Sequence, residues 1–139
     1  MPRRTGLLPV VFAGLVLAVP AVAQDVDATV TATPGDILGL FDQFISSGAA
    51  ATRCVDPGDA LTLRFLSNFQ WVSQQATREI GSRRPDASND EIAAELAARS
   101  LQIKAKTHEL VRAEGCASES VKTLVRRFLV HSTWKPGAA

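Results

Sequence analysis

Two cysteines, Cys54 and Cys116, bracket two long stretches of helical periodicity that are nearly equal in length. Nothing else in the chain constrains its fold as strongly. If the stretches fold back on each other, the cysteines meet at the open end of a helical hairpin, within reach of a disulfide. Such a bridge closes a loop of roughly 60 residues, and the entropy it removes from the unfolded chain is worth up to about 4 kcal/mol. Small domains are stable by only about 5–15 kcal/mol, so the bridge would be a large share of the total. It also implies an oxidising compartment.

The N-terminus points the same way. Arg3 and Arg4 are followed by an apolar run from Leu7 to Val19 and by Ala21-Val22-Ala23, an A-x-A cleavage pattern. Residues 1–23 therefore read as a cleaved signal peptide, with Gln24 as the first mature residue and a periplasmic or secreted destination. The apolar core carries Pro9 and Pro20 and falls short of the roughly 20 residues that a membrane span needs. No later segment of the sequence is long and apolar enough to span either. Loss of Arg3 and Arg4 takes the basic count from 15 to 13 against 14 acids, which argues against general nucleic-acid binding.

Residues 24–33 are polar and aperiodic and read as a flexible leader. The helical domain is expected over 34–135, with 136–139 as a tail. Thr33 and Asp56 each precede a Pro-Gly-Asp that suits a helix start, with Pro34 and Pro57 in the first turn. The first helix is expected from Pro34 to Ser47, capped by Gly48 and followed by a connector over Ala49 to Arg53. The second should run from Pro57 to Ile80, stopped by Gly81, with Leu61, Phe65, Phe69, Val72, Ala76 and Ile80 on one face. Ser88 and Glu91 form a capping box for a third helix that reaches Glu114. Ile92, Leu96 and Ile103 lie on its apolar face, and Ala94, Ala97, Ala98, Leu101 and Ala105 widen that face for close helix approach. A fourth helix starts at Ser118 and ends near Trp134. The expected fold is all-α: a small four-helix bundle, clamped by one disulfide, in which the second and third helices pack on each other and the first and fourth cover them.

Chemistry-bearing patterns are scarce. His108 and His131 stand on different helices, and no metal-ligand spacing occurs, so neither a metal nor a cofactor is expected. No nucleophile motif is present, and Cys54 or Cys116 could act as a redox thiol only if unpaired. Glu95 and Arg99 are spaced for an ordinary surface pair. Trp71 lies away from the apolar stripe of the second helix, with Arg64, Gln75 and Arg78 along the same side. Aromatic and arginine side chains together favour protein interfaces. Lys122, Arg126 and Arg127 give the fourth helix a basic face that could meet an acidic partner or an anionic surface.

The layout from Cys54 to Trp134 resembles small exported helical proteins with one cysteine before a helix and another before the last helix. Acid-stress periplasmic chaperones share this plan. So do immunity proteins that neutralise secreted effectors, to which Cys54-Val-Asp-Pro57 is also similar. The preceding helix and the wide cysteine separation depart from the chaperones, and no functional residue transfers. The sequence thus reads as an exported module that binds another macromolecule, probed against two alternatives: a stress chaperone or inhibitor, and a hydrolase or thiol-redox enzyme with an unrecognised site.

Overall fold

The computed structural model describes residues 36–136. The expected signal peptide, the expected leader, and the first expected cap with Pro34 lie outside the described residues. Within them the chain is helical throughout, with four helices: α1 (Ile37–Cys54), α2 (Gly58–Arg83), α3 (Asn89–Glu114) and α4 (Glu119–Thr133).

Each start has a local cause. Asp36 caps α1 by accepting from the Gly39 N–H at 2.8 Å. Ser88 and Glu91 make the expected reciprocal capping box on α3. Ser118 caps α4 through the Val121 N–H. The start of α2 differs from expectation. Pro57 takes the capping position, the expected cap Asp56 accepts from the Gly58 N–H at 3.2 Å, and Gly58 adopts φ +75°, a left-handed conformation open to glycine at little cost. Gly115 plays the matching part after α3, at φ +77°.

The largest correction concerns α1. It does not stop at Gly48 but continues about two further turns, to Cys54. Gly48 is used for close approach instead of termination. A Cβ built there would stand 3.0 Å from Cζ of Phe65, so the bare backbone is what lets α2 lay that ring against α1. Ala49, Ala50 and Ala51, expected in a connector, are buried in the helix. Gly81 likewise lies inside α2, which runs on to Arg83, and faces the Ile92 side chain.

These small residues make α1 the centre of the bundle. It packs against all three other helices, while α2 and α3 meet over a short stretch beside their connecting turn and α3 scarcely touches α4. The expected face-to-face packing of α2 on α3 is therefore replaced by packing of both on α1. Phe65 and Leu96 are buried as expected, and Phe69 and Ile103 are partly buried against the same core. Their partners differ, however. Phe65 meets Phe44 of α1 at 5.2 Å between ring centroids and Phe128 of α4 at 4.6 Å. Phe69 meets Phe41 at 5.6 Å.

Because α3 spends only a narrow face on α1, its alanine-rich side stays in solvent, and Leu101 is 68% exposed. Arg99 leaves its expected partner as well. It forms a two-pronged pair with Asp42 of α1, at 2.5 and 2.7 Å, while Glu95 pairs with Arg84 at 2.5 Å. The planar guanidinium fits the carboxylate edge on, so this pair also fixes the rotation of α3 about its axis. The bond and field of Asp42 raise the Arg99 pKa further above its ordinary value.

Cys54 and Cys116 are joined in a disulfide, with Cα atoms 5.5 Å apart. The bridge ties the last residue of α1 to the turn between α3 and α4. Replacing both cysteines with serine should cost up to about 4 kcal/mol in denaturant unfolding. Dithiothreitol should lower the unfolding midpoint of the wild type and leave that of the double variant unchanged.

Candidate functional site

Trp71 sits on the outer side of α2, where α1 begins and α4 ends. It is 37% exposed. Its covered part meets Trp134, the residue that closes α4, in an edge-to-face contact with centroids 5.5 Å apart. Trp134 in turn contacts Phe44 of the core at 6.0 Å. The two tryptophans thus form a graded aromatic edge, one end anchored inside and the other in solvent. Such rings keep a large apolar area available with little conformational freedom left to lose.

Asn68 holds this edge in place. Its side-chain amide donates to the backbone carbonyls of His131 and Trp134, at 2.8 and 2.7 Å. Carbonyls in the last turn of a helix have no partner within it, and here a residue from α2 supplies one. Beside the edge lies a shallow hollow of about 410 Å³, formed by Ile37, Trp71, Gln75, Arg78, Glu79 and Ser82. Three of the residues singled out from the sequence, Trp71, Gln75 and Arg78, therefore come together. Arg64 stands outside the hollow, about two turns before it on α2. Arg78 reaches Gln75 Oε1 at 3.5 Å, while Glu79 is occupied by Arg83 at 2.6 Å. Among the described residues neither Arg64 nor Arg78 forms an ion pair with a carboxylate.

The basic face of α4 is arranged differently. Glu119 binds Lys122 at 2.8 Å and Arg126 at 3.6 Å, which neutralises much of that patch locally. The same two cations hold the Glu119 carboxyl below its ordinary pKa. Arg127 is partly buried and lies close enough to His131 to disfavour a proton there.

A second concavity is not apparent from sequence reasoning. It opens on the other flank of α2, between α2 and α3, and has a volume of about 530 Å³. Phe44, Ile45 and Gly48 of α1 form its floor, with Phe65 and Leu66 on one side and Ser100, Lys104 and His108 on the other. The sequence signals were present but scattered. Leu66 lies beside the main apolar stripe, and Lys104 and His108 stand one turn apart on α3. Only the splaying of α2 from α3 joins them. Among the described residues no group of three His, Cys, Asp or Glu side chains converges as a metal site would require.

Among the described residues the most perturbed titratable group is His131. It is fully buried, with its ring stacked on Phe44 at 3.9 Å between centroids. Its Nδ1 lies 2.9 Å from Ser47 Oγ. Ser47 already donates to the Phe44 carbonyl at 3.2 Å, so its oxygen is left to accept, and the direction of the chain assigns the imidazole proton to Nδ1. Nε2 is buried without a partner. A serine beside a histidine is a familiar nucleophile pair, but both residues here have no exposed surface and no substrate can reach them. The pair is a core fastener between α1 and α4.

Two outcomes follow from this geometry. Burial, with a smaller contribution from Arg127, pushes the His131 pKa down from 6.5 to about 4. On unfolding below pH 6.5 the freed imidazole takes up a proton that the folded protein refuses until about pH 4. Stability should therefore fall by up to about 3 kcal/mol between those two values, with no further loss from this group below them. Urea titrations across that range should show the loss in the wild type and a flatter profile in His131→Phe. Separately, Asn68→Ala should cost about 1–3 kcal/mol, because two carbonyls lose their donor. The same change should red-shift tryptophan emission as Trp134 is released.

No protein-family model, curated protein or solved structure matches this chain.

Proposed function

We propose that the protein acts by binding, without catalysis, and that its partner is a protein with an acidic face that docks over Trp71. The observation that carries this reading is the aromatic edge itself. A tryptophan 37% exposed rests against Trp134, whose carbonyl Asn68 holds, beside an arginine that no carboxylate of the described chain neutralises. Interface hot spots are built from such residues: an aromatic side chain whose position is fixed in advance, and a guanidinium ready for a carboxylate. Arg64 extends the positive side along α2 and would contribute mainly to encounter.

We further infer that this binding takes place in the periplasm or outside the cell. The Cys54–Cys116 disulfide supports that setting, since such bonds persist in oxidising compartments.

The test is partner capture from the exported fraction, followed by kinetics on the isolated pair. Trp71→Ala should weaken binding by about 2 kcal/mol or more while changing the unfolding midpoint little. Arg78→Glu should slow association, and added salt should do the same to the wild type. A partner that binds Trp71→Ala as tightly as the wild type would overturn the assignment of this face.

A further inference from the structure

The groove between α2 and α3 is independent of the Trp71 edge, since it lies on the other flank of α2. Its volume of about 530 Å³ falls in the range of small-ligand sites. Its surface is mainly hydrocarbon, from Phe44, Ile45, Val55, Phe65, Leu66 and Phe69. Folding alone would favour closing such a surface. Instead Leu66 on its wall remains 52% exposed.

The polar groups are distributed unevenly. Among the described residues, Lys104 and His108 are the only titratable side chains that line the groove, and no carboxylate does. They stand one helical turn apart on the same flank of α3, toward the end closed by the disulfide. The residues three and four positions from Lys104 are Ser100, Leu101, Thr107 and His108, so no acid on its own helix is spaced to reach it. Among the described residues Lys104 forms no ion pair. The nearest acid beyond His108 along the helix, Glu109, is held by Arg112 at 2.5 Å. Arg53 adds another positive charge, because it shares with His108 a hollow on the neighbouring surface.

We propose that this groove binds a single-chain amphiphile with an anionic head, of the fatty carboxylate class. The alkyl chain lies along Ile45, Phe65 and Leu66 between α2 and α3, and the head meets Lys104 beside His108. The hydroxyls of Thr52 and Thr62 near the mouth already donate to the carbonyls of Gly48 and Gly58, at 2.7 and 2.9 Å, which leaves Lys104 and His108 to meet the head. A partner helix fits less well. A stable protein interface buries on the order of 800 Å² per partner, which is more than a hollow of ligand size offers, and a helix would leave the unpaired lysine to chance.

The test uses dodecanoate, which is monomeric at micromolar concentration, and dodecyltrimethylammonium, which has the same chain and the opposite charge. Calorimetric titration of the disulfide-bonded protein should show one dodecanoate bound per chain, at least tenfold tighter than the cation. Lys104→Glu should weaken dodecanoate at least tenfold and not weaken the cation. Leu66→Glu, also at an exposed position, should weaken dodecanoate through the wall of the groove, with circular dichroism confirming the fold of both variants. Absence of dodecanoate binding, equal affinity for the two amphiphiles, or indifference to Lys104→Glu would overturn the proposal. So would binding to phosphatidylglycerol vesicles without binding of the monomeric carboxylate, which would assign the face to a membrane surface. A dimer broken by Leu66→Glu would overturn it in favour of a second copy of the chain. None of these measurements depends on the Trp71 edge.

Discussion

The contact between Gly48 and the Phe65 ring decides how this chain can pack. Even a methyl group at position 48 would require an aromatic ring, itself packed between Phe44 and Phe128, to give by a few tenths of an ångström. Without one, α1 becomes slender enough along its second half for three helices to gather round it. The run of buried alanines that follows continues the same effect. Protein interiors are packed about as densely as organic crystals, so a helix placed at the centre of a small bundle must be narrow somewhere. Here the narrow part is also where the ring cluster of α2 and α4 is seated.

That arrangement explains which parts of the molecule were legible in the sequence. The capping box at Ser88 and Glu91 was, because both residues act within one turn of each other. The cysteine pairing was, because helix length alone sets where the two ends of a hairpin fall. The end of α1 was not. Glycine after an apolar run is a common helix stop, and only the approach of Phe65, 17 positions later in the chain, shows that Gly48 serves another purpose. Arg99 illustrates the same limit. Its local partner Glu95 is correctly spaced, yet Asp42, separated by 57 positions, offers better geometry.

The surfaces divide along the same line. Trp71, Gln75 and Arg78 share one helix face, and periodicity is enough to group them. The groove draws on all four helices and exists because α2 and α3 are held apart. Taken singly, Leu66 is a stray leucine, Lys104 an ordinary surface cation and His108 a histidine on an alanine-rich flank. His131 was readable only as a residue without metal-site neighbours. Its burial against Phe44 and its bond to Ser47 depend on where α4 crosses α1.

The two bonds from Asn68 have a bearing on how the protein is handled. They pin the carbonyls of His131 and Trp134, and so fix the direction in which the backbone leaves α4. The chain emerges directly beside the Trp71 ring. An affinity tag or fluorescent fusion joined directly after Pro136 would start at that edge and would compete with the proposed partner. Immobilisation through an engineered cysteine on the outer, alanine-rich side of α3 would leave the aromatic edge free, provided that the native disulfide is kept intact during coupling.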